Sequence, residues 1–145
     1  MKILVLHGPN LNLLGRREPH IYGSMTLADL NKKLEDLARE LRVEVVPFQS
    51  NHEGELVDFL HKHIDNAAGA ILNPGGLTQY GVSLHDAIKG MPYPVIEVHI
   101  TNRHAREDWR AHSIISSAAK GMVEGLGWRS YTAALRALVE NLKDK

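Results

Sequence analysis

Apolar positions along the chain alternate between two spacings. Ile3-Leu4-Val5-Leu6 is an unbroken apolar run closed by Gly8-Pro9, the pattern of a strand buried on both faces. Leu27, Leu30, Leu34, Leu37, Ala38 and Leu41 then recur at steps of three and four, which is one face of a helix. Thr26 with Asp29 resembles a capping box at its start. Residues 43–49 (VEVVPFQ) predict a second strand, which Pro47 places at a sheet edge. Leu56, Phe59, Leu60 and Ile64 mark a second helix, and residues 69–72 a third strand broken by Asn73-Pro74-Gly75-Gly76. Residues 82–89 read as helix and 94–100 (PVIEVHI) as the fourth strand. Beyond Asn102 the pattern weakens, and a short helix over 105–110 and a small strand near 113–116 are the expectations. Residues 128–142 close the chain as an amphipathic helix with Tyr131, Ala134, Leu135, Leu138, Val139 and Leu142 on one stripe. This alternation predicts an α/β fold: a flavodoxin-like, doubly wound, five-stranded parallel sheet with helices on both faces, in one domain over 1–145.

Composition narrows the class. With 145 residues, 43% of them hydrophobic, the chain can bury a core. Seventeen Lys and Arg balance seventeen Asp and Glu, so the broad basic footprint of a nucleic-acid binder is missing and no membrane surface is expected as partner. The sequence has no cysteine, which excludes disulfides, thiolate metal sites and cysteine nucleophiles. No apolar run approaches the roughly 20 residues of a membrane span, and the short run at the start is no signal-peptide core. A cytoplasmic location is the expectation.

In such sheets, ligands bind beyond the carboxyl ends of the strands. Those ends carry His7-Gly8-Pro9-Asn10, Asn73-Pro74-Gly75-Gly76 and Glu97-Val98-His99-Ile100-Thr101-Asn102. Each segment alone also reads as an ordinary turn. The polar end of strand two, Gln49-Ser50-Asn51-His52, is expected at the outer edge. Residues 7–25 form a long stretch rich in Gly, Pro and Asn in which Arg16, Arg17 and Tyr22 lie between Gly15 and Gly23, a segment that reads either as a hinged lid or as a solvated loop. A tyrosine base needs a cation beside it, because lowering a pKa of about 10 by two units takes roughly 2.7 kcal/mol.

Nine histidines are more than a surface needs. His61 and His63 are expected at the surface, and His20, His52, His85 and His104 have no partner visible in the sequence. His99 ends an apolar strand, with Glu97 two residues earlier on the same face. That carboxylate would fix its tautomer for general-acid work; a packed core histidine is the other reading. A metal site from His99, His104 and His112 lacks any recognised ligand spacing. Neither the phosphate loop nor the dinucleotide glycine fingerprint is present.

The segments Gly8-Pro9-Asn10-Leu11-Asn12-Leu13-Leu14-Gly15-Arg16-Arg17-Glu18-Pro19 with Tyr22-Gly23, Leu72-Asn73-Pro74-Gly75-Gly76, Ile96-Glu97-Val98-His99-Ile100-Thr101-Asn102, and 104–107 with 110–113 together resemble the type II 3-dehydroquinate dehydratases, in order and over essentially the whole chain. The resemblance implies dehydration of 3-dehydroquinate to 3-dehydroshikimate, reversibly, through an enolate, without metal, cofactor or lysine imine. It implies that Tyr22 removes the proton from C2, Arg17 keeps that tyrosine ionised, Asn10 holds a water on the enolate, and His99 protonates the departing hydroxyl. Asn73, the amides of Ile100 and Thr101, and Arg110 would bind the carboxylate and hydroxyls. Asp86 would reach a neighbouring subunit's site, in a dodecamer of four trimers.

One departure stands out. The histidine that follows Leu-Thr in the family is Gln79 here; it can donate and accept but carries no charge, so binding should persist in weakened form. Thr101 stands where serine is common and keeps the hydroxyl. Two other classes stay open at this point: a catalytically silent binding module for a small ligand, and an assembly scaffold.

Overall fold

The computed structural model describes residues 1–16 and 18–144. Five parallel strands, β1 (Lys2–His7), β2 (Glu44–Gln49), β3 (Gly69–Asn73), β4 (Val95–His99) and β5 (Gly121–Glu124), form one sheet in the order β2-β1-β3-β4-β5. Helices α1 (Pro19–Tyr22), α2 (Leu27–Leu41), α3 (Glu53–Lys62), α4 (Val82–Gly90) and α5 (Arg129–Lys143) complete the chain. β1 and β3 are buried on both faces, as their unbroken apolar runs require. Ile3, Val5, Ile71 and Val98 pack under α2 and α5. Leu4, Leu6, Ala70 and Leu72 point the other way, under α3 and α4.

The doubly wound architecture is the expected one, with β2 at the edge. The capping box on α2 is formed on both sides: Thr26 Oγ1 accepts from the Asp29 amide at 3.1 Å, and Asp29 accepts from the Thr26 amide at 3.2 Å. Three expectations fail. The fifth strand is Gly121–Glu124, not 113–116; the latter segment turns inward because Ser113 and Ser116 both donate to a buried carboxylate. The helix expected over 105–110 is two separate 3-10 turns, Arg103–Ala105 and Asp108–Arg110. His63 is buried, not at the surface: its ring meets Phe59 edge-on and its Nδ1 pairs with Asn66 at 2.9 Å.

The chain leaves β1 toward β2 on one side and returns to β3 on the other. That reversal parts the loops that follow β1 and β3. The two loops still touch at their bases. A side chain at Gly8 would lie 2.6 Å from the Pro74 carbonyl oxygen, and Gly75, at φ +57°, faces the Pro9 carbonyl oxygen.

Candidate active site

Over the reversal point lies a cleft of ≈ 260 Å³. Three strand ends supply its walls: Asn10 after β1, Asn73 and the turn to Gln79 at β3, and His99, Ile100 and Thr101 at β4. Tyr22 closes it from α1, and Arg106 and Arg110 from the turns beyond β4. Eight of the ten sequence-predicted residues therefore meet in one place, although the chain separates them by up to a hundred positions. Arg17 lies outside the described residues. Asp86 lies on α4 outside this cleft, its carboxylate 73% exposed and 3.1 Å from His85 Nδ1.

His99 is the best-defined group. Its Nε2 lies 2.5 Å from Glu97 Oε2, and both side chains are buried. Glu97 also accepts from Ser116 at 2.8 Å and from Ser113 at 3.0 Å. Burial pushes the Glu97 pKa up. The hydrogen bond and charge of His99, with the two serines, outweigh it and hold the carboxyl below the usual range. An ionised carboxylate only accepts, so His99 carries its hydrogen on Nε2 and leaves Nδ1 for a ligand in the cleft. The pairing expected from the spacing of Glu97 and His99 is formed; the serines that complete it were not foreseen, since nothing in the pattern distinguishes them from turn residues.

Asn10 adopts the left-handed conformation at φ 71°, its amide donating to Asn51 Oδ1 at 2.9 Å. Gln49 adds a hydrogen bond to the Gly8 carbonyl at 3.2 Å. The polar end of β2 thus braces the first loop from the edge strand. Tyr22 ends α1 directly before Gly23, which has φ 83°. The Arg106 guanidinium sits 5.2 Å from the centre of the Tyr22 ring and donates to Thr101 Oγ1 at 3.3 Å. Arg106 was not singled out from the sequence; its three-residue offset from Arg103 on a short turn was the available signal.

Arg103 is buried and organises the outer wall. It pairs with Glu124 at 3.1 Å and donates to the Arg110 and Ala111 carbonyls at 3.2 and 3.0 Å. Arg110 stacks on Trp109 at 4.2 Å and donates to Glu107 at 2.6 Å, holding that carboxyl below its ordinary range. Gln79 donates from Nε2 to the Arg110 carbonyl at 3.2 Å, while its Oε1 is buried without a partner. No lysine lines the cleft among the described residues. Among those residues no three His, Cys, Asp or Glu are grouped to hold a metal ion, and His104 and His112 are exposed.

The sequence model of the family described as dehydroquinase class II matches residues 1–139. The chain belongs to that family. It is 51% identical over 142 residues to the 3-dehydroquinate dehydratase of Halothermothrix orenii, covering 98% of this chain and 96% of the relative. The crystal structure of the type II dehydroquinase of Butyrivibrio crossotus superposes with a TM-score of 0.93 at 37% identity, over 95% of this chain and 97% of that one. That of Propionibacterium acnes gives 0.93 at 40% identity, over 96% of each. The five-stranded parallel sheet and its order of strands are therefore those of a type II dehydroquinase. Among the described residues, no helix is long and apolar enough to cross a membrane.

Proposed function

We propose that this chain is a 3-dehydroquinate dehydratase, a hydro-lyase acting as a single catalytic domain over 1–145. The observation that carries the reading is the Glu97–His99 pair set in the wall of the cleft that Asn10 and Tyr22 also line. The α proton of a ketone needs a base, the enolate needs a donor, and the leaving hydroxide needs an acid. Tyr22 takes the C2 proton. Arg17 stabilises the phenolate, with the Arg106 guanidinium over the same ring as a second cation. Asn10 holds a water on the enolate oxygen. His99, protonated with Glu97 as its counter-ion, gives the Nδ1 proton to the departing C1 hydroxyl, which leaves as water. Asn73, Ile100, Thr101 and Arg110 bind the carboxylate and remaining hydroxyls, and Gln79 accepts from one hydroxyl through Oε1.

The family membership favours this enzyme over a silent binding module. Four trimers in a dodecamer would bring Asp86 into a neighbour's cleft; its exposure on α4 supports that arrangement. The reaction would serve aromatic amino-acid synthesis through the shikimate pathway, or quinate breakdown, in the cytoplasm.

An ultraviolet assay tests the reaction, because dehydration creates a conjugated enone that absorbs where the substrate does not. Purified protein given 3-dehydroquinate should produce a rising absorbance with a chelator present and after borohydride treatment. No rise from folded protein would refute the assigned activity, and loss with chelator or borohydride would refute the mechanism.

A further inference from the structure

His7 ends β1, one residue before the loop that carries Asn10, yet it does not line the cleft. Its ring is fully buried beneath α2 and α5. Nδ1 lies 3.1 Å from the Tyr131 hydroxyl and Nε2 2.9 Å from Asn31 Oδ1. Tyr131, also fully buried, has the side chain of Asn73 as a second polar neighbour of its hydroxyl. Asn73 lines the cleft. A continuous polar chain thus runs from α2 through the core to the site: Asn31, His7, Tyr131, Asn73.

Its direction follows from one backbone group. The Gly75 amide can only donate, and it donates to Asn73 Oδ1 at 3.1 Å. The amide end of Asn73 is therefore the end left to donate to Tyr131 Oη. With its oxygen accepting there, Tyr131 donates its hydrogen to His7 Nδ1. His7 then carries its own hydrogen on Nε2 and donates it to Asn31 Oδ1. Burial keeps each proton in place: it holds His7 neutral down to about 4 and pushes the Tyr131 hydroxyl above the ordinary tyrosine range.

We propose that Asn31, His7 and Tyr131 are positioning residues whose one-way hydrogen-bond relay fixes the Asn73 amide, with one Nδ2 hydrogen held by Tyr131 and the other facing a substrate oxygen. Without the relay the amide can invert and present an acceptor where a donor is needed. If His7 offers no acceptor, the Tyr131 hydrogen turns to Asn73 Oδ1 and imposes that inversion. The functional part of the inference rests on Asn73 being a substrate contact.

A double-mutant cycle reads the coupling. Tyr131→Phe should raise KM for 3-dehydroquinate about tenfold with kcat changed less than about threefold, and should change kcat/KM less than about twofold when Asn73→Ala is already present. An equal loss in both backgrounds, or no loss in the first, overturns the positioning role. A second pair guards against a folding defect in Tyr131→Phe. His7→Leu should lower kcat/KM, and His7→Asn, whose Oδ1 supplies the acceptor in place of Nδ1, should restore it; equal activity of the two overturns the relay. The geometry is also read without any substrate. In protein labelled with nitrogen-15 at asparagine, the Asn73 side-chain amide, identified by its loss in Asn73→Ala, should exchange its hydrogens at least about tenfold faster in Tyr131→Phe or His7→Leu than in the wild type. Unchanged exchange overturns the relay whatever the substrate proves to be. Wild-type protein that shows slow exchange but no dehydration refutes the assigned reaction alone.

Discussion

Acidification should expose the cost of burying His7. The ring has no exposed surface, and burial lowers its pKa from 6.5 to about 4 against the opposing pull of the Asn31 hydrogen bond. Between those two values the unfolded chain takes up a proton that the folded chain refuses. The folded state therefore keeps its full advantage above pH 6.5, loses it as the pH falls toward 4, and loses nothing further below that. A drop of 2.5 pH units, from 6.5 to about 4, is worth about 3 kcal/mol at about 1.4 kcal/mol per unit. His7→Asn removes the titration while keeping an acceptor for Tyr131, and every other group titrates alike in both proteins. Urea unfolding followed by tryptophan fluorescence, at one fixed protein concentration between pH 7.5 and 4, gives the comparison. The wild type should lose about 3 kcal/mol more than the variant, a difference of about 1–3 M in urea midpoint. Parallel curves for the two proteins would refute the argument, because they would mean that His7 is hydrated or protonated in the folded state.

Tyr22→Phe should lower kcat by at least about 100-fold while leaving substrate affinity within about threefold, as read by steady-state kinetics and calorimetric titration; substantial residual turnover would remove Tyr22 from the base role. Glu97→Gln should lower kcat about 100-fold or more, since an amide cannot act as counter-ion to a protonated His99, with urea unfolding showing a stability loss at pH 7. That stability gap should close as the pH falls below the ordinary carboxylate value of 4.5, because Glu97 is held below it and contributes only while ionised. Gln79→His should tighten 3-dehydroquinate binding about two- to tenfold, the worth of one better hydrogen bond; an unchanged affinity would show that Gln79 costs the site nothing.

The sheet and its order of helices were legible because their signal is local. Unbroken apolar runs at 3–6 and 69–72 force strands buried on both faces, and the stripe from Leu27 to Leu41 admits only a helix packed along one side. The fifth strand was misplaced because Gly121–Glu124 is a short, half-exposed edge with little alternation to read. Segment 113–116 looked like a strand but turns inward to satisfy Glu97, whose burial no local pattern reveals.

The site divides in the same way. Glu97 and His99 lie two residues apart on one strand, so strand geometry alone aligns them, and their pairing could be read from the chain. Motif resemblance marked Asn10, Tyr22, Asn73 and Arg110. Arg106 over Tyr22, Gln79 under Arg110, and the path from Asn31 through His7 and Tyr131 to Asn73 join residues far apart in sequence. A lone buried His7 shows no period and no spacing, so its role exists only once α2 and α5 close over β1. Periodicity determines which faces are buried and hence the layers of the fold. Which polar groups meet inside those layers is decided only by tertiary packing, because burial is what compels each of them to find a partner.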